Sequence, residues 1–75
     1  MSVSDFVIHI DEMLNEFQLH EAEQAASQCS GVVSAHVSRH QPHLMLVAYD
    51  PERGRSTQVL DAIRSHGWHG QLVGL

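Results

Sequence analysis

Hydrophobic residues follow two spacings along this chain, one typical of strands and one typical of helices. The order in which these two kinds of segment occur is what most limits the fold. Between Phe6 and Ile10 every second residue is apolar, as in a strand with one buried face. The next stretch has helical spacing up to about Cys29, and Gly31 is predicted to end that helix as its C′ residue. We predict further strands over 32–38, 44–49 and 71–75 and a second helix from about Ser56 to Gly67. The order β-α-β-β-α-β predicts the ferredoxin-like α+β fold, a four-stranded antiparallel sheet with two helices on one face.

The start of the first helix has the clearest local signal. Asn15 is a good N-cap residue, and Gln18 stands three positions later, as in a capping box. Leu14 and Leu19 occupy the two positions of a hydrophobic staple. The inward stripe of this helix is then predicted to consist of Leu19, Ala22, Ala26 and Cys29.

Composition excludes several classes of function. The 75 residues suit one domain, 1–75, and the net charge of −5, with four Arg and no Lys, gives no basic surface for nucleic acid. No apolar run reaches the length of a membrane span, and the first residues do not resemble a signal peptide. A single cysteine allows no internal disulfide, which fits a cytoplasmic protein. No spacing of Ser, His, Asp or Cys indicates a catalytic site, so we expect no enzyme.

Several short motifs resemble the heavy-metal-associated domains of copper chaperones and of P-type ATPase N-terminal modules. They are Gly31-Val32, Tyr49-Asp50-Pro51-Glu52, and Ala62-Ile63 followed by Gly67-Trp68. The resemblance covers about 6–75 and implies the same ferredoxin-like fold. It also implies that Asn15 and Gln18 stand where that family has the two cysteines of its CxxC motif, and that Met13 matches the family's methionine.

Loss of both cysteines changes the chemistry that the resemblance implies. Cu(I) prefers thiolate and thioether ligands, and the amides of Asn15 and Gln18 are poor substitutes. A conventional Cu(I) chaperone is therefore excluded. The simplest interpretation of these two residues is that they only cap the first helix, and that Cys29 packs in the core.

Seven histidines leave a second route to metal binding. The family places the loop after the second helix beside the metal loop, so Met13, His66 and His69 could form a site there, with a carboxylate from Asp11, Glu12 or Glu16. Imidazole suits divalent Zn, Ni, Co and Cu, and such binding should weaken as the pH falls through about 6.5. The competing interpretation makes His66 a helix-end cation and His69 an exposed loop residue.

The sheet face away from the helices is predicted to be unusually apolar. Residues predicted to face the helices are Phe6, Ile8, Ile10, Val33, Ala35, Val37, Met45, Val47 and Tyr49. That leaves Leu44, Leu46 and Ala48 on the open side, joined by Val7 and bordered by His9 and His36. Two such faces could pack as a symmetric homodimer, or one could dock a protein partner, whereas scattered apolar residues would need no partner. If a homodimer forms in this way, Leu46→Asp should make the protein monomeric.

Overall fold

The computed structural model describes residues 2–73 and has the predicted order of elements. They are β1 (Ser4–Ile10), α1 (Glu16–Ser27), β2 (Val32–Val37), β3 (Leu44–Tyr49), α2 (Ser56–Ser65) and β4 (Gly70–Val73). The strands form one antiparallel sheet in the order β2-β3-β1-β4, which confirms the ferredoxin-like fold. The predicted end of the last strand, residues 74 and 75, lies outside the described residues. Neither helix is long and apolar enough to cross a membrane.

The core lies between the helices and one face of the sheet. The sheet contributes alternate residues of the two central strands, among them Ile8, Ile10, Met45 and Val47, all with no exposed surface. The helices contribute Leu19, Ala22, Ala26, Val59, Leu60 and Ile63. Cys29 is half-buried against this cluster, and the rings of Phe6 and Tyr49 meet edge to face at 5.1 Å. Each large apolar side chain buried in this way contributes about 1.5–3 kcal/mol.

The capping box at the start of α1 is confirmed. The backbone N–H of Gln18 donates to Oδ1 of Asn15 at 2.8 Å, and the N–H of Asn15 donates to Oε1 of Gln18 at 3.0 Å. Leu14 and Leu19 are both buried, as expected of a hydrophobic staple. The side-chain oxygens of Asn15 and Gln18 thus satisfy two backbone N–H groups at the start of α1.

The predicted end of α1 is wrong by about two residues. The helix ends at Ser27 with Gln28 as its C-cap, so Gly31 is not the C′ residue. Gly31 nevertheless has φ of 80°, and a Cβ there would lie 2.6 Å from the backbone N of Gly54. Its carbonyl also accepts the N–H of Asp50 at 2.7 Å. Glycine is required here because the turn after β3 approaches so closely, and not because a helix ends.

The predicted inward position of Val33 is also wrong. The register between β2 and β3 shifts between Val32 and Ser34, so Val33 is the extra residue of a β-bulge. Its side chain is 59% exposed, whereas Ala35 and Val37 still face the helices and pack in or against the core. A bulge of this kind changes the phase of the alternation, which strict period-two spacing cannot show.

Candidate functional site

An apolar row crosses the open face of the sheet. In the strand register His36 pairs with Leu46, Leu46 with Val7, and Val7 with Val73, so four side chains form one line across all four strands. Leu46 is 53% exposed and Val73 is 40% exposed, while Val7 is half-buried. Beside this row is a shallow hollow of about 280 Å³. Its lining residues are Val7, His36, Ser38, Gln41, Leu44 and Leu46.

Two rows that consist mostly of polar residues border the apolar row, one on each side. One neighbouring row consists of Asp5, Ala48 and Ser34, and the other of His9, Leu44 and Gln71. The structure thus places all five residues of the predicted interface, Val7, His9, His36, Leu44 and Leu46, on the same open face. Sequence reasoning missed Val73, although its pairing with Val7 follows once β4 is placed beside β1.

The loop between β1 and α1 presents no thiolate. The side-chain oxygens of Asn15 and Gln18 accept hydrogen bonds at the start of the helix, as described above. Met13 beside them is 74% exposed. Cys29 lies at the other end of α1, where its Sγ donates to the carbonyl oxygen of Ala25 at 3.5 Å. These residues do not offer Cu(I) the pair of soft ligands that it prefers.

Glu12 and His69 join the loop before α1 to the loop before β4. The N–H of His69 donates to Oε1 of Glu12 at 2.8 Å, and Nδ1 of its ring bonds to the other carboxylate oxygen. The hydrogen bond to Glu12 raises the pKa of His69 above 6.5, and the same bond lowers the pKa of Glu12 below 4.5. Because Nδ1 carries the proton in this pair, the neutral ring keeps Nε2 free as a ligand atom.

His66 has a different environment from His69. Its ring stacks on Trp68, with the ring centres 5.0 Å apart and the planes 11° from parallel. Within residues 2–73, no three His, Cys, Asp or Glu side chains form a group that could hold a metal ion. The set Met13, His66 and His69 therefore stays a prediction; in the structure His69 is held by Glu12 and His66 is stacked on Trp68.

A cluster of charged groups at the edge of β2 was not found from the sequence. Arg39 donates to Glu16 through Nε at 3.0 Å and to Glu23 through Nη1 at 3.2 Å. His20 lies within 3.5 Å of both carboxylates, and His36 lies 3.3 Å from that of Glu23. On the sequence these residues look like ordinary solvated charges, because the ones that meet are up to 23 positions apart.

His9 and His43 form a second pair that the sequence did not indicate. Their rings stack with centres 5.7 Å apart. Nδ1 of His9 lies 3.1 Å from Asp11, and Nδ1 of His43 lies 2.7 Å from the carbonyl oxygen of Ile10. Because the ring planes are only 14° from parallel, one ion cannot lie in both planes without a rotation of one ring. This stack closes one end of the open face and is not itself a chelating arrangement.

Several solved structures share the fold of this chain. No protein-family model and no curated protein sequence matches this chain. Among solved structures, oxidized MerP from Ralstonia metallidurans CH34 matches with a TM-score of 0.87 and 14% identity, over 97% of this chain and 100% of that one. The apo copper chaperone of Enterococcus hirae matches with a TM-score of 0.82 and 19% identity, over 91% and 98%. The CopZ metallochaperone matches with a TM-score of 0.79 and 26% identity, over 93% and 100%.

These matches extend over at least 91% of this chain and at least 98% of each matched chain. At such low identity they establish architecture and leave the chemistry of the site to the residues present in this chain. The resemblance drawn from the sequence motifs is confirmed at the level of the fold: this chain is a domain with the heavy-metal-associated, ferredoxin-like fold of copper and mercury chaperones.

Proposed function

We propose that this chain is a non-catalytic binding module in which Asn15 and Gln18 replace the CxxC ligands of the heavy-metal-associated fold, and that its open sheet face docks a protein partner. The observation that carries the proposal is the exposed apolar row of Leu46, Val7 and Val73. Antiparallel sheets usually turn a polar face to water, and an apolar patch bordered by polar groups is typical of a partner site.

The row has enough apolar surface to matter in binding. Leu46 and Val73 together with the half-buried Val7 and Leu44 supply the apolar centre. A large apolar side chain that becomes fully buried contributes about 1.5–3 kcal/mol before the costs of association are subtracted. The hollow beside Leu46 offers a place where one apolar side chain of the partner could insert.

Charge favours a different protein over a second copy on this face. Each copy has a net charge of −5, and Asp5 is exposed on the open face itself. Two copies packed face to face would bring these like charges together. We therefore propose a partner that has an apolar surface and a basic rim. The lone cysteine, which has no partner for an internal disulfide, is compatible with a reducing cytoplasm as the place where this occurs.

The test uses two exposed apolar residues, one in the apolar row and one outside it. Leu46→Asp changes the open face, and Val33→Asp is the matched control, because Val33 is equally exposed but belongs to the bulge in β2. Wild type and Val33→Asp should retain the same protein from a cell extract, and Leu46→Asp should not. The retained protein, once purified, should bind wild type at least tenfold more tightly than Leu46→Asp. Equal affinity for the two variants, or no retained protein, contradicts the proposal.

A second candidate function is binding of a divalent transition-metal ion, as a sensor or carrier. The observation in its favour is the Glu12–His69 pair, because metal-binding histidines commonly donate their second N–H to a carboxylate. We propose His69 Nε2 as the first ligand, with His66 and Met13 completing the site around Zn, Ni, Co or Cu(II). His66 must leave its stack on Trp68 to take part.

Native mass spectrometry and calorimetry with Zn²⁺, Ni²⁺, Co²⁺ and Cu²⁺ separate the two candidates. A stoichiometric adduct should form with wild type and be lost in the His66→Ala/His69→Ala double variant. His20→Ala, which changes an exposed histidine on α1, should bind as wild type does. If the double variant keeps the full affinity, the site lies elsewhere in the chain.

A further inference from the structure

The two edge strands of the sheet, β2 and β4, differ in how the outward N–H and C=O groups of their backbones are hydrogen-bonded. At the β2 edge the outward N–H of Val37 donates to Glu23 at 2.8 Å, and its carbonyl accepts from Arg39 Nη1 at 2.7 Å. Glu16 in turn holds Arg39. Charged side chains that occupy the edge in this way prevent another strand from pairing there.

The pairing of β4 with β1 determines which backbone groups of β4 point out of the sheet. The N–H of Asp11 donates to the carbonyl of His69 at 2.9 Å, just before β4 begins. In an antiparallel pair, hydrogen-bonded residues alternate with residues whose N–H and C=O point away. In this register Gln71 and Val73 bond to β1, so Gly70 and Leu72 point their backbone groups outward.

One outward group of β4 is already occupied, which supports this assignment. The carbonyl of Gly70 accepts from Arg64 through Nε at 3.3 Å and Nη2 at 3.2 Å. The N–H and C=O of Leu72 have no hydrogen-bond partner within residues 2–73, and its side chain is 42% exposed. β4 also contains no charged residue, from Gly70 to Val73. Arg64 protects the Gly70 end of this edge, but the edge at Leu72 lacks the protection that β2 has at Val37.

We infer that a second copy of this chain pairs with β4, antiparallel and edge to edge, about a two-fold axis at Leu72. The two Leu72 residues then exchange both outward hydrogen bonds, and their side chains become neighbours on the helix side of the sheet. On the open face, Val73 of each copy lies beside Gln71 of the other. This edge shares only Val73 with the apolar row around Leu46, and the hydrogen bonds that pair it are those of Leu72, so the inference does not depend on the proposed docking function.

A second copy fits this edge better than a chain of many copies. Two copies that pair through the same edge form a closed dimer about one two-fold axis. Pairing of β4 in one copy with β2 in the next would instead add copies without limit. The closed β2 edge excludes that second arrangement. β4 itself contains no charged residue, so no like charges on the paired strands face each other when two domains of charge −5 meet at this edge. Two hydrogen bonds and one pair of leucines make a small interface, so we expect a dissociation constant on the order of 1 mM.

Sedimentation equilibrium of the full chain over a range of concentrations up to about 1 mM tests the dimer. Leu72→Pro removes only the outward N–H, which β1 does not use, and proline is tolerated on such an edge. Leu72→Lys keeps the backbone but places two positive charges across the axis. Val33→Lys is the matched control on the other edge strand, and circular dichroism checks that each variant is folded.

Wild type and Val33→Lys should shift from monomer toward dimer as concentration rises, until about half of the chains are paired. Leu46→Asp should do the same, because the open face is not the interface. Leu72→Lys and Leu72→Pro should remain monomeric. The inference is overturned if wild type stays monomeric, if both folded Leu72 variants dimerise as wild type does, or if Leu46→Asp abolishes the dimer.

Discussion

The carboxylate of Glu12 holds both the backbone N–H and the imidazole of His69, which lies 57 positions later in the sequence. This one side chain therefore joins the loop before α1 to the loop before β4. The fold brings these two loops together, because β4 lies beside β1 in the sheet. Glu12 and His69 make the side-chain contact between them, which is an ion pair when the His69 ring is protonated.

Glu12→Gln should lower the pKa of His69 toward its ordinary value of 6.5, because the hydrogen bond and charge that raise it are weakened. Any stability from the charged pair is present below pH 6.5 and is lost as the pH rises through the raised pKa of His69. Titration of the His69 ring by NMR measures the shift directly. Glu52→Gln, a change to an exposed carboxylate in the turn after β3, should leave the pKa of His69 as it is in wild type.

Glu23→Gln should make the protein less stable near neutral pH. Burial raises the pKa of Glu23, but the N–H of Val37 and the guanidinium of Arg39 outweigh it, so the pKa lies below its ordinary value of 4.5. The stability is present above pH 4.5 and is lost as the pH falls through the lowered pKa. We expect a loss of about 1–3 kcal/mol in free energy of unfolding at pH 7.

Urea unfolding of wild type and Glu23→Gln at several pH values checks this expectation. The two curves should converge as the pH falls from 4.5 through the lowered pKa of Glu23, because the carboxyl group is then protonated in wild type as well. Glu21→Gln, two positions earlier on α1, serves as the control and should cost less than about 0.5 kcal/mol. Curves that stay parallel at every pH contradict a role for the charge of Glu23.

Gly54→Ala should be among the most destabilising single changes in this domain. A Cβ at Gly54 would lie 2.0 Å from the carbonyl oxygen of Ser30, and a backbone atom cannot move aside cheaply. We expect a loss of more than about 2 kcal/mol. Gly67→Ala is the control: its φ of 88° costs about 1–2 kcal/mol, but no atom lies within 4 Å of the new Cβ. Equal urea midpoints for the two variants would show that the close approach is absent in solution.

The sequence correctly predicted those features of the fold that depend on residues close together in the chain. The capping box of Asn15 and Gln18 and the inward faces of β1 and β3 were right, because each involves residues a few positions apart. The bulge at Val33 was missed, since it arises from the register of β2 against β3. The same limit explains why the Glu23–Arg39 cluster was missed: it joins segments that only the folded sheet brings together.

The site was less predictable than the fold for a similar reason. Sequence placed five residues on the open face correctly, because alternation assigns faces well. It named Met13, His66 and His69 together because the resemblance places their loops together. It did not show that His69 is held by Glu12 or that His66 stacks on Trp68, which are matters of side-chain orientation. The outward backbone of Leu72 required the hydrogen-bond phase of β4, which no composition or spacing reveals.

Restoring cysteine at both replaced positions tests whether Asn15 and Gln18 occupy the positions of the missing ligands. We expect Asn15→Cys/Gln18→Cys to bind one Cu(I), because two thiolates at the start of α1 supply soft ligands and the N-terminal helix dipole favours their negative charge. The single variants should bind much more weakly. A Cys29→Ala background removes the natural thiol, which lies at the far end of α1 and whose pKa is raised by burial.

The double variant should also lose the capping box, at a cost of about 0.5–2 kcal/mol without metal. Cu(I) should return that stability, since an ion that binds only the folded state stabilises it. Thermal unfolding with and without Cu(I), under reducing conditions and with a competing chelator, measures both effects. Stoichiometric binding would show that the scaffold still positions a metal loop, so that residues 15 and 18 alone separate this chain from a thiolate-based copper protein. A folded double variant with no Cu(I) affinity would mean that the loop geometry has also diverged, and that the alignment of Asn15 and Gln18 with the family's cysteines is incorrect.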